Sequence, residues 1–249
     1  MRRTLRAAPR LILPILIVQA LVTAAVEGIL QLREDAYLRA KLASWNLPAD
    51  PMAKALAIRD HVRMEVTHVG LDVNAPRPLL RDSAQTTLET GRGFCGEKAR
   101  VMIRMLRLEG LEAHRVYLWG GPTLQHVIAE VLVDGRPIGL EPLRGLPTET
   151  DEREIMARLG MPQRSYWSPR ALLALGLDPF AVGSFWARTP PPGFVVTLGE
   201  SPHAASLLAG LIELGCAGAA WAFVRRRVAA VRRSIADESL AATPSAQRA

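Results

Sequence analysis

Thr90-Gly91-Arg92-Gly93-Phe94-Cys95-Gly96-Glu97 carries a glycine-rich approach straight into a helix-like stretch and sets a thiol at its start. The apolar positions Val101, Met102, Ile103, Met105 and Leu106 continue that helix, and Gly110 stops it. Leu111 to Trp119 then reads as a strand, and Gly120-Gly121-Pro122 as a loop. Two further runs, about 126–133 and 136–142, are joined by Asp134-Gly135, a strong hairpin signal, and Pro142 closes the second. A cysteine is nucleophilic as the thiolate, which a helix N-terminus and a nearby imidazolium both favour. The order helix start, then hairpin, offers Cys95 both influences.

The hairpin places its own residues. With Asp134-Gly135 as a two-residue turn, Val133 pairs with Arg136, His126 lies opposite Leu143, and Ile128 lies opposite Glu141. Side chains alternate faces along a strand. His126 and Glu141 therefore project from one face as diagonal neighbours, about 7–8 Å apart at the backbone. Cys95, His126 and Glu141 are thus the candidate nucleophile, base and orienting acid. Glu130 shares the face and is a rival for the acid role, but it stands further from His126. A slip of one residue in the register would separate the pair.

Charge and hydropathy describe the ends. The formal net charge of +7 is concentrated in two flanks: Arg2, Arg3, Arg6 and Arg10, and the arginine-rich stretch after Val224. Each flank contributes +4, and Glu27 and Glu213 take back two, which leaves segment 31–203 close to +1. A nucleic-acid role loses its main support. Ala204 to Val224 holds Glu213 as its one charge and is about 30 Å long as a helix, enough to cross a bilayer. Arg225-Arg226-Arg227 follows and predicts a cytoplasmic C-terminus. Leu11 to Val26 reads as a signal-anchor continuing through Ile29-Leu30, or as a cleavable signal peptide with Thr23-Ala24-Ala25 at its cleavage site. Either way the middle of the chain is expected outside the cytoplasm, in a cell membrane protein.

The expected organisation is an N-terminal membrane segment over 1–30, an extracytoplasmic domain over 31–200, a transmembrane helix over 204–224, and a basic cytoplasmic tail over 225–249. Cys216 falls inside the C-terminal span, so a disulfide to Cys95 is excluded by position. Glu34 to Ser44 reads as an exposed helix. Asp50 caps, and Pro51 opens, a helix through Arg63. Residues 68–86 read as an irregular loop, Thr148 to Leu159 as a helical tract, and Ser168 to Gly176 as a short helix. Phe180, Phe185 and Trp186 form an apolar patch expected to be buried in the core, with a substrate groove or the membrane interface as alternatives. Ala24 and Gly28, and Gly215 and Ala219, have the spacing of close-packed membrane helices.

The stretch from Thr90 to Ala99, with Leu106-Arg107-Leu108-Glu109-Gly110-Leu111-Glu112-Ala113-His114-Arg115-Val116, resembles the core of the transglutaminase-like superfamily. His126-Val127-Ile128-Ala129-Glu130-Val131 and Gly139-Leu140-Glu141-Pro142 resemble that family's histidine and acid segments, and Ala57-Ile58-Arg59-Asp60-His61-Val62 its leading helix. The resemblance covers about residues 50–145. It implies an α+β, papain-like core, a cysteine-bearing helix packed on an antiparallel sheet, here set between two transmembrane helices. It also implies a Cys-His-Asp triad carried by Cys95, His126 and Glu141. The departures are a glutamate where the family usually has aspartate, and no aromatic neighbour at His126.

The function expected is thiol acyl chemistry on a peptide or protein substrate outside the cytoplasm, by hydrolysis or acyl transfer, with no cofactor. The five histidines show no HExxH or comparable metal-ligand spacing. A non-catalytic module that binds peptide or envelope polymer for a membrane partner is the alternative. Glu213, costly in mid-span, suggests a protein partner within the membrane.

Overall fold

The computed structural model describes residues 8–69, 82–120, 125–143, 150–169, 172, 175–178 and 185–241. The chain falls into two compact units, one of residues 29–205 and one of the described parts of 1–28 and 206–249.

In the larger unit, α1 (Ala8–Ser44) contributes its C-terminal part and α2 (Pro51–Glu65) follows, capped where Asp50 Oδ2 accepts from the Ala53 N–H at 2.8 Å. A two-residue strand β1 (Thr67–His68) pairs in parallel with β2 (Arg92–Gly93), and α3 (Ala84–Thr90) lies between them in sequence. The cysteine helix α4 (Cys95–Leu108) then packs on a four-stranded antiparallel sheet. Its strands are β3 (Ala113–Trp119), β4 (Gln125–Val133), β5 (Arg136–Leu140) and β6 (Gln163–Ser165), in the order β5-β4-β3-β6. Helix α5 (Glu152–Leu159) packs on β5, and α6 (Phe185–Arg188) and α7 (Gly193–Glu200) lead to α8 (Pro202–Ala241). This is the mixed helix and antiparallel sheet architecture that the sequence implies.

The core is built where sequence periods agree. Val101, Met102, Met105 and Leu106 of α4 meet Ala129, Val131, Ile138 and Leu140 of the sheet, and all are fully or nearly fully buried. Val116, Leu118 and Ile128 pack with Ile155 and Met161 in a second cluster. The hairpin register matches the turn arithmetic: Val133 pairs with Arg136, Val131 with Ile138, and Ala129 with Leu140. Asp134 and Gly135 adopt φ of 51° and 75°, the left-handed pair that a two-residue turn needs to match strand twist.

Three readings change. Residues 34–44 continue α1 and are not exposed throughout: Leu38 and Leu42 join the core, and buried Glu34 accepts the Ala84 N–H at 2.8 Å. That bond caps α3, which the loop reading of 68–86 missed; residues 70–81 lie outside the described residues. Phe185 is 58% exposed instead of buried, and Phe180 lies outside the described residues. In the smaller unit the close approach is at Gly210, whose Cβ position would lie 3.6 Å from the Ala20 carbonyl oxygen and 3.7 Å from the Ala24 nitrogen. No heavy atom lies within 4 Å of a Cβ placed at Gly28 or Gly215.

Two helices, over Pro14–Ser44 and Pro202–Ala230, are long and apolar enough to cross a membrane.

Candidate active site

Cys95 is the first residue of α4, and the turn before it is tightly held. Gly91 takes φ +63° after α3, a conformation that favours glycine, and the Phe94 N–H donates to Glu97 Oε2 at 2.9 Å. The Thr67 N–H donates to the Gly91 carbonyl at 2.8 Å, and the Val69 N–H to the Gly93 carbonyl at 3.3 Å. These bonds fix the approach, so the thiol enters at a helix N-terminus, where the helix dipole favours negative charge.

His126 lies on β4, and Glu141 is the first residue after the adjacent strand β5. Nε2 of His126 lies 2.7 Å from Glu141 Oε2, and Glu141 Oε1 accepts the Leu143 N–H at 2.8 Å. Glu141 is 0% exposed, and both its oxygens have partners. His126 also hydrogen-bonds the Cys95 side chain, so Glu141 on Nε2 leaves Nδ1 for the thiol. The three residues singled out from sequence are therefore brought together.

Electrostatics favour charge separation within this pair. Burial pushes the Cys95 thiol up, but it is outweighed by the His126 hydrogen bond and charge, the Val127 N–H and the Arg115 charge. The thiol ends below its ordinary value. Burial likewise disfavours the His126 cation, yet the bonds to Cys95 and Glu141 win, and its pKa is pushed up to about 10. A thiolate–imidazolium pair is the consistent state, and the two groups titrate as a unit.

Glu130 is committed elsewhere. Its oxygens accept from Tyr166 Oη at 2.5 Å and Arg164 Nη2 at 3.3 Å, and Arg164 Nη1 also donates to Glu152 at 2.5 Å. Burial and the Glu130 hydrogen bond raise Glu152 from 4.5 to about 8. A carboxyl with a raised folded pKa stabilises the fold most below its unfolded pKa, and that benefit is lost as pH rises through the folded pKa. Glu152→Gln is therefore expected to flatten the fall of melting temperature between about pH 4.5 and 8. Parallel melting profiles for the two proteins would contradict this.

Sequence reasoning missed two neighbours. His68, on β1, is near enough to feel the His126 and Glu141 charges, and its pKa is lowered first by burial and then by Lys98. The signal for it was positional: parallel pairing of His68 with Gly93 sets it beside the approach to Cys95. The other is Arg115, buried on β3, whose Nη2 donates to the Gly96 carbonyl at 2.8 Å. Among the described residues no cluster of three or more His, Cys, Asp or Glu could hold a metal.

Residues 42–141 match the model of the transglutaminase-like superfamily. A solved structure of a candidate cysteine protease from Cytophaga hutchinsonii is similar at 21% identity, with 45% of this chain and 38% of that one covered and a TM-score of 0.37. A candidate protease from Parabacteroides distasonis is similar at 19% identity, covering 48% of this chain and 25% of that one, with a TM-score of 0.34. The chain thus spans well under half the length of either. No curated protein matches it. The likeness to the transglutaminase-like superfamily thus covers residues 42–141, which hold all of β3, β4 and β5 and the cysteine helix.

Proposed function

We propose that the protein is a membrane-anchored cysteine enzyme that cleaves or transfers acyl groups at peptide or amide bonds outside the cytoplasm. The observation that carries this reading is the Cys95–His126–Glu141 chain of hydrogen bonds, in which the buried Glu141 orients the imidazole and the imidazole bonds the thiol.

The Cys95 thiolate attacks the carbonyl carbon, and the oxyanion develops beside the N-terminal turn of α4, where the Cys95 N–H is the candidate donor. The C–N bond then breaks, and His126 gives its proton to the leaving amine. A thioester on Cys95 remains. Water attacks it for hydrolysis, or an amine for transfer, and His126 takes the proton released. Glu141 stabilises the imidazolium throughout without itself accepting the proton. Two helices long and apolar enough to span a bilayer flank this core, and the Arg225–Arg227 run supports a cytoplasmic C-terminus. On this reading the catalytic domain lies on the opposite side.

The test incubates the full chain, in detergent micelles, with peptide and cell-envelope fragments and reads products by mass spectrometry. Amide cleavage or amine exchange, accompanied by an acyl adduct on Cys95, is the expected result. Binding of fragments with no adduct and no product would point instead to a non-catalytic module.

A further inference from the structure

The transglutaminase-like match ends at residue 141, yet a side chain far beyond it reaches the cysteine helix. Glu200, the last residue of α7, is 4% exposed and clamps Arg115: Nε donates to Oε1 at 2.7 Å and Nη2 to Oε2 at 2.5 Å. The same Nη2 donates to the Gly96 carbonyl at 2.8 Å, one residue after the thiol. Arg100 of α4 adds a second cation 3.7 Å from Glu200 Oε2.

The segment is anchored as well as charged. Val196 is buried in the main core, and Arg107 Nη2 donates to the Gly193 carbonyl at 3.3 Å. Ser201 follows fully buried, bonded to Gln31 of α1, and its hydroxyl accepts the Ala204 N–H in the first turn of α8. A carboxylate at the entrance of the C-terminal apolar helix is thus two hydrogen bonds from the carbonyl beside Cys95.

We infer that Glu200 is a positioning residue for Cys95: through Arg115 it fixes the first turn of α4 and offsets the guanidinium charge that acts on the thiol. On this view residues 193–201 complete the reactive centre from outside the family core. The inference rests on the thiolate–imidazolium reading above. The charged groups facing this centre are His126, Glu141, His68, Lys98 and Glu97 around the thiol, and Arg100 and Tyr117 around the Arg115–Glu200 pair.

A loss of charge and a loss of packing have different signatures. Removing the Glu200 charge makes the site more positive, which favours the thiolate and disfavours the imidazolium. Both inflections in the pH dependence of Cys95 reactivity then move to lower pH. Loosening the Cys95–His126 contact instead moves the inflections toward each other, the acid one up and the alkaline one down.

The experiment measures iodoacetamide alkylation of the full chain in micelles against pH, with the Cys95 peptide read by mass spectrometry so that Cys216 does not interfere. Glu200→Gln is expected to lower both inflections by roughly 0.5–1 pH unit, and Glu200→Asp to leave them in place. The double variant Arg115→Gln/Glu200→Gln loses that guanidinium charge too, so its inflections should sit above those of the wild type. If Glu200→Gln does not fold, this double variant, which removes both members of the Arg115–Glu200 clamp, carries the test. Converging or unmoved inflections overturn the inference. Wild-type protein alkylated only in the ordinary thiol range would instead overturn the ion-pair reading itself, and this inference with it.

Discussion

Cys95→Ala is expected to lower product formation by about three orders of magnitude or more, while the fold survives. The loss is large because no other group can form the thioester; His126 and Glu141 are left with nothing to activate. The fold survives because the start of α4 is held by neighbours: Phe94 and Glu97 exchange the capping bond, and Arg115 holds Gly96. Cys95 itself is only partly buried. Mass-spectrometric product assays beside thermal melts check both halves. Activity equal to wild type in a folded Cys95→Ala protein would remove the proposed chemistry altogether.

Glu141→Gln should cost about 10²- to 10⁴-fold in turnover, through a change of tautomer more than through lost shape. In the native site the Glu141 carboxylate can only accept, so Nε2 of His126 carries a proton toward it and Nδ1 is available to the thiol. In the variant, the Leu143 N–H keeps one side-chain position as the amide oxygen, as it holds Glu141 Oε1 now. The amide NH2 then faces Nε2 and donates to it. The proton moves to Nδ1, where the base must accept from Cys95, and the imidazolium also loses its counter-charge. The alkaline inflection of Cys95 reactivity should fall from near 10 as a consequence. Turnover and the alkylation profile report the two effects separately. An unchanged alkaline inflection would mean that Glu141 does not hold the imidazolium.

The parts of this structure legible in the sequence are those written locally. Asp134-Gly135 determined the register of β4 and β5, and through it the meeting of His126 with Glu141, because a two-residue turn leaves one way to pair. The period of α4 gave its buried face and left Cys95 at its start. The choice between Glu141 and Glu130 was harder, since both share a face; the structure separates them through Tyr166 and Arg164, which arrive from β6 and its surroundings. Strand β6 is three residues long and carries too short a pattern to announce itself. Glu34 looked like a solvated helix charge, and only α3 packing onto it reveals the cap. Glu200 was invisible for the same reason: nothing local to Leu198-Gly199-Glu200 says that Arg115 waits for it.

The hairpin has a consequence for the order in which the chain becomes reactive. His126 and Glu141 are 15 positions apart across a two-residue turn, so they meet on the hairpin timescale of about 1–10 μs. Cys95 reaches them only as α4 docks on that hairpin, a contact of longer range and later closure. During folding, therefore, the base and acid are assembled while the sulfur is still an ordinary protonated thiol. A newly emerging chain thus exposes little thiolate to oxidants, and its nucleophile matures as α4 docks.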